Sequence, residues 1–231
     1  MLSELKKEMQ SLANPEKAKL LSGFFKTGKG HYGEGDVFLG IIVPLQRKVA
    51  AKYKALSLSE VRQLLCSKIH EHRLTALFIL IHQFKKADKI GKEAIVKLYL
   101  DNTKNINNWD LVDLSAPNIL GEYLLNKDRK LLYKLASSSL LWDKRIAMLA
   151  SFAFIRKNDF RNALNIAELL LKDKHDLMHK AAGWMLREIG KRDLKAEEDF
   201  LKKHYREMPR TMLRYAIEKL DDKKKKFYMQ K

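Results

Sequence analysis

The sequence predicts an all-α fold, a curved solenoid of stacked helical pairs occupying residues 1–231 as a single domain. Three observations carry that expectation. Only 4 prolines and 10 glycines interrupt the 231 residues, and strand-like alternation of apolar and polar positions is scarce. Apolar residues instead recur at spacings of three and four in one segment after another, which lays a stripe along one helix face. A basic residue also opens an apolar helix at Arg73, Arg145, Lys180 and Arg214, with gaps of 72, 35 and 34 residues. The first gap spans a pair of units, so the period is about 35 residues, the length of a helical pair in HEAT or armadillo arrays. Such units cannot bury their apolar faces alone and stack into one continuous core.

Taken in order, the opening "MLSELKKEMQSLANPEK" is broken by charge too often to be the apolar core of a signal peptide. "GKGHYG" at 28–33 fits the dinucleotide pattern G-x-G-x-x-G, but it follows a helical pattern and runs into "EGDVFLG" rather than opening a helix after a strand. A flexible surface loop is expected there, with Lys26 and Lys29 in reach of phosphate, and no cofactor. Helical segments follow at "LSEVRQLLCSKI" (58–69), "RLTALFILIHQF" (73–84), "EAIVKLYLDN" (93–102), "KLLYKLASSSLLW" (130–142), "RIAMLASFAFIRK" (145–157), "ALNIAELLLKD" (163–173) and "AAGWMLREIGK" (181–191). The longest apolar stretch, "IAMLASFAFI", is far short of the roughly 20 residues that span a bilayer. The tail "DDKKKKFYMQK" reads as a solvated, frayed end.

Between the first and second of the basic markers lies "NNWDLVD" (107–113). On a helix, Trp109 and Asp113 stand side by side on one face, an aromatic plate beside a carboxylate. The plain structural reading makes Asn108 the N-cap, sets Asp110 near the positive end of the helix dipole and leaves Asp113 solvated. Trp109, Arg145 and Trp184, each near the start of a repeat helix, could instead converge on one concave surface. The charge supports a functional face: 46 Lys and Arg against 28 Asp and Glu give +18, a field that favours a polyanion such as nucleic acid. A single cysteine, Cys66, excludes an internal disulfide and any multi-cysteine metal site.

"WDLVD" at 109–113, "LWDKRIAML" at 141–149 and "HKAAGWMLREIGK" at 179–191, in that order, resemble the AlkD family of bacterial DNA alkylation-repair glycosylases. The segment from "NPEKAKLLSGFFK" to "PLQRKVA" is similar to that family's opening, with a glycine-rich insertion. The resemblance implies a C-shaped stack of HEAT-like repeats gripping duplex DNA, with a cleft of a Trp and an Asp from one helix, an Arg from the next repeat and a Trp from the one after. Residue by residue, these are Trp109, Asp113, Arg145 and Trp184, with Lys180 as a further DNA contact. It also implies a monomer of the bacterial cytoplasm, associated with the nucleoid while at work, and excision with the lesion still stacked in the duplex.

The chemistry suits so small a set. Ordinary glycosidases need a carboxylic acid to protonate a neutral leaving group and a second carboxylate for the sugar cation. A purine alkylated at N3 or N7 already carries positive charge, so one carboxylate suffices to stabilise the cation and position water. Asp113 is expected in that role, Trp109 and Trp184 packing on the deoxyribose and Arg145 holding a phosphate. The expected substrates are 7-methylguanine and 3-methyladenine in duplex DNA, with an abasic product and no strand cleavage, since no lysine stands out as a Schiff-base nucleophile. The alternatives are a non-catalytic HEAT-repeat binder of damaged or branched DNA and, against the charge, a protein-binding scaffold. His175 and His179 share a helix face but lack the companions of a metal motif, so no metal is expected. Trp142 reads as core, and Arg187 as the partner of an acid or a phosphate.

Overall fold

A computed structural model describes residues 1–230. Among them the regular structure is helical apart from one isolated bridge between Val37 and Ile69, and no helix is long and apolar enough to cross a membrane. The all-α expectation holds. The chain divides into two compact units, Met1–Ser115 and the part from Ala116 onward.

The first unit contains α1 (Leu2–Ser11), α2 (Pro15–Phe24), α3 (Val43–Lys52), α4 (Leu58–Leu65), α5 (His70–Lys86), α6 (Lys89–Asp101) and α7 (Trp109–Ser115). Local chemistry sets several of the starts. Asn14 accepts from the Lys17 N–H at 2.9 Å with Pro15 in the first turn, Ser57 and Glu60 form a reciprocal capping box, and Asp88 accepts from the Gly91 N–H at 2.8 Å. Helix α5 is the hub, touching α3, α4, α6 and α7. Its apolar run from Leu74 to Ile81 is buried on every side.

The first turn of α5, "HEHR", is buried as well, which its polarity does not suggest. Glu71, 1 % exposed, accepts from the backbone N–H groups of Leu39, Gly40 and Ile41 at 2.8–3.3 Å, so its carboxylate is satisfied by the chain that wraps over it. Gly40 is required in that wrap. Its φ is +81°, and a Cβ there would collide with the Asn14 carbonyl.

The second unit contains α8 (Leu120–Leu124), α9 (Lys130–Ala136), α10 (Leu141–Ala150), α11 (Phe152–Ile155), α12 (Arg161–Leu169), α13 (Asp176–Gly190), α14 (Leu194–His204), α15 (Arg210–Ala216) and α16 (Asp222–Met229). The apolar stretches 130–142 and 145–157 are each broken in two. The first stops at the serine run after Ala136; the second bends at Ser151, whose hydroxyl donates back to the Met148 carbonyl at 2.6 Å and competes with the helical ladder. Helix α13 packs between α10 and α15. Gly183 permits the second contact, because a Cβ there would strike the Met212 carbonyl. Helix pairs α4/α5, α6/α7, α9/α10, α12/α13 and α14/α15 recover the 35-residue repeat.

The tail corrects the sequence reading. Its described part is a docked helix: Asp221 caps α16 through the Lys224 N–H at 2.8 Å, Lys224 pairs with Glu198, and Phe227 and Tyr228 pack on Tyr205. Two aromatic rings at its far end outweigh the four lysines at its start; Lys231 lies outside the described residues.

Helix α14 buries Glu197 to 3 % exposure, and its Oε1 has no hydrogen-bond partner. Burial, reinforced by the neighbouring Glu198 charge and only partly offset by Arg187, pushes its carboxyl up to about 8. A group whose folded value is raised stabilises the fold below its unfolded value and loses that stabilisation as pH rises through the folded one. Glu197→Gln is therefore expected to flatten the loss of stability between pH 6 and 9 and to gain about 2 kcal/mol at pH 9. Urea melts at the two pH values test it; parallel losses in both proteins would remove Glu197 as the source.

Candidate reaction site and nucleic-acid contacts

Helix α7 starts at Trp109, and its first turn is secured differently from the sequence expectation. Asn108 is not a side-chain cap. Its backbone carbonyl accepts the Val112 N–H at 3.1 Å, while its amide is wholly buried with neither polar atom hydrogen-bonded. Asp110 takes over: its Oδ1 accepts the Leu111 N–H at 2.8 Å and its Oδ2 lies 2.8 Å from His70 Nε2.

His70 stands between two carboxylates, because its Nδ1 lies 3.3 Å from Asp36 Oδ2. Arg73 also donates to that Asp36 oxygen, at 2.7 Å. Burial disfavours charge on the imidazole, but the hydrogen bonds to Asp110 and Asp36 outweigh it, and its pKa stands above the ordinary histidine value. Burial likewise opposes the charge on Asp36, and His70 and Arg73 overcome it, holding that carboxyl below the usual range. Phe25 and Phe38 stack on the imidazole at 5.1 and 4.5 Å.

Trp109 is half-buried. Phe24 meets it edge-on at 5.9 Å, Phe25 lies 5.2 Å away, and its indole N–H donates to the Tyr32 hydroxyl at 3.2 Å. Asp113, one turn on, is half-buried too. The Tyr99 phenol, pushed up mainly by burial, is raised further by the Asp113 charge.

The repeat gives Asp113 a particular position. Arg73 is the fourth residue of α5, and Arg145, Lys180 and Arg214 are the fifth residues of α10, α13 and α15. Asp113 is the fifth residue of α7, a carboxylate in the place where α10, α13 and α15 carry a cation.

In the second unit, Arg145 is 4 % exposed and donates to the Leu177 carbonyl in the first turn of α13. It braces the helix that bears Lys180 and Trp184. Lys144 pairs with Asp173 at 2.7 Å, His175 accepts the Leu177 N–H at 3.1 Å, and His179 donates to the Asp173 carbonyl at 2.6 Å. Both histidines thus organise the start of α13. Among the described residues no three His, Cys, Asp or Glu side chains gather as metal ligands. Lys180 is half-buried and paired with Asp176 at 2.6 Å. Trp184 is half-buried, 5.9 Å from Phe152, and its N–H donates to Glu188 at 3.2 Å. Trp142, 6 % exposed, is core, and Arg187 pairs with Glu218.

The glycine-rich segment is more than a surface loop. Lys26 and Lys29 are exposed, but Gly33 is buried, Tyr32 reaches Trp109 and Asp36 is anchored on α5. Asp36, His70 and Tyr32 were not singled out by the sequence. The available signals were a polar quartet opening a long apolar run and an aspartate closing a glycine-rich one.

Three solved structures share the fold. A predicted DNA alkylation repair enzyme from Enterococcus faecalis matches with a TM-score of 0.70 at 17% identity, over 91% of this chain and 97% of that one. AlkD2 from Streptococcus mutans matches with a TM-score of 0.57 at 17% identity, over 90% and 98%. The protein smu.31 from Streptococcus mutans UA159 matches with a TM-score of 0.55, again at 17% identity, over 95% and 99%. No curated protein matches significantly. The family model described as DNA alkylation repair enzyme matches residues 5–220, and the chain belongs to that family, whose work is the repair of alkylated DNA.

Proposed function

We propose that the protein is a monofunctional DNA glycosylase that hydrolyses the N-glycosidic bond of cationic N3- or N7-alkylated purines in duplex DNA. The observation that carries this reading is the carboxylate of Asp113, one turn after Trp109, at the helix position where α10, α13 and α15 carry a cation. On a chain of +18, an acid at that position is costly for binding a polyanion and useful for stabilising a sugar cation.

The two tryptophans fit the same reaction. Each spends its indole N–H inside the protein, Trp109 on Tyr32 and Trp184 on Glu188, so what each can offer DNA is an apolar ring surface. Such a surface packs on deoxyribose and excludes water without competing for the lesion's polar groups. Arg145 adds a buried positive charge that fixes the first turn of α13 and, with Lys180, supplies the phosphate contacts in this reading. A purine cation leaves without a proton, so no general acid is needed, and water attacks the sugar carbon under the carboxylate. The product is an abasic site.

The test is base release from duplex DNA carrying 7-methylguanine, 3-methyladenine, hypoxanthine or uracil, followed by mass spectrometry of the freed bases. Release of the two cationic purines alone is expected. Release of uracil would sink the single-carboxylate mechanism. Salt-sensitive duplex binding with no release of any base would favour a non-catalytic binder.

A further inference from the structure

The glycine-rich segment is tied to the reaction helix at both ends of a short path. At its base, Asp36 is gripped by Arg73 and His70, and His70 passes the connection on to Asp110 of α7. The backbone is stitched there too: the Val37 N–H donates to the Lys68 carbonyl at 3.1 Å and the His70 N–H to the Val37 carbonyl at 2.8 Å. At its tip, Tyr32 accepts the Trp109 N–H. The segment is packed close to achieve this, since a Cβ on Gly33 would collide with the Phe25 carbonyl. Phe24, Phe25 and Tyr32 all meet the Trp109 ring, and all three come from residues 24–32.

From these contacts we infer that Tyr32 is a positioning residue for the reaction: its hydroxyl fixes the rotation of the Trp109 indole and so sets the ring surface presented to DNA. Two phenylalanine neighbours can hold a flat ring at a given depth, but neither distinguishes one edge of the indole from the other. A hydrogen-bond acceptor on one side does, because the opposite flip would strand a half-buried N–H. The segment 28–36 is then a clasp, anchored on α5 through Asp36 and closed on α7 through Tyr32.

This inference rests on the glycosylase reading, and its test separates the two. Tyr32→Phe keeps the ring and removes only the hydroxyl. The first measurement is the fluorescence of Trp109 alone, in full-length protein carrying Trp142→Phe and Trp184→Phe, with and without Tyr32→Phe; a shift in emission is expected on losing the N–H acceptor. The second is single-turnover release of 7-methylguanine by proteins with all three tryptophans. There Tyr32→Phe should slow the chemical step about tenfold with unchanged duplex affinity. In a Trp109→Phe background, which has no indole N–H, Tyr32→Phe should have no further effect on the rate.

An unshifted emission overturns the clasp whatever the rates do. An equal rate loss with and without the indole also overturns it, because Tyr32 would then act on something other than Trp109. A shifted emission with an unchanged rate overturns the role in turnover. If the wild-type protein releases no base while Trp109 emission shifts, the glycosylase reading has failed and the clasp on Trp109 stands as structure.

Discussion

Asp113→Asn is expected to slow release of 7-methylguanine from duplex DNA by at least about a hundredfold, the scale of losing a preorganised electrostatic stabiliser. Asparagine keeps the shape and one acceptor oxygen and removes the charge, so packing around Trp109 should survive. The same change removes a negative group from a surface that meets a polyanion, so duplex affinity should stay equal or tighten. A lowered rate with an equal or lower dissociation constant is the signature of a group that acts on the transition state rather than on ground-state binding. Single-turnover rates and binding titrations on the same duplex measure both. If the rate falls less than about threefold, Asp113 is not the stabiliser and another group must supply that charge. Weakened binding beside a slow rate would make Asp113 a structural element of α7.

The repeat was legible because it is written in the local phase of each helix. Arg73, Arg145, Lys180 and Arg214 mark helix after helix at nearly constant phase, and the observed helices α5, α10, α13 and α15 start three or four residues before them. The Trp109–Asp113 spacing was legible for the same reason, since one helical turn is a local quantity. What surrounds that pair was not. His70 meets partners 34 and 40 residues away, and Tyr32 meets Trp109 across 77. No periodicity encodes such contacts, because a loop returns them to the helix. The Asn108 expectation holds for its position, the residue before α7 whose carbonyl takes the Val112 N–H, and fails for its side chain: Asp110, with a charge and a histidine partner, takes the side-chain contacts at the helix start. The tail was misjudged because its lysine run hides the packing of Phe227 and Tyr228. Arg145 is buried, and one of its guanidinium nitrogens donates to the Leu177 carbonyl of α13, a backbone contact that no sequence pattern could nominate.

Replacing His70 with leucine, of similar bulk, should destabilise the first unit by about 3 kcal/mol at pH 6, since it strips a buried carboxylate pair of the cation between them. The difference should shrink toward pH 9, and the sign follows from the pKa. His70 is raised above its unfolded value, so its stabilisation is complete below that value and is lost as pH climbs through the folded one. Above it, the neutral ring has one N–H for two carboxylates, and one of its nitrogens then faces Asp36 or Asp110 with a lone pair. His72 works in the opposite direction. Burial, then the charges of Lys6 and Arg73, bring it down to about 4, so it costs stability as pH falls from neutrality. It is common to both proteins and cancels in the comparison. Urea melts of wild type and His70→Leu from pH 6 to 9 should therefore converge as pH rises. Curves that stay parallel would mean that folding leaves the His70 pKa where it was and that Asp36 relies on Arg73 alone. Convergence would place a titrating cation directly beneath the helix that carries Trp109 and Asp113, making α7 better secured at pH 6 than at pH 9.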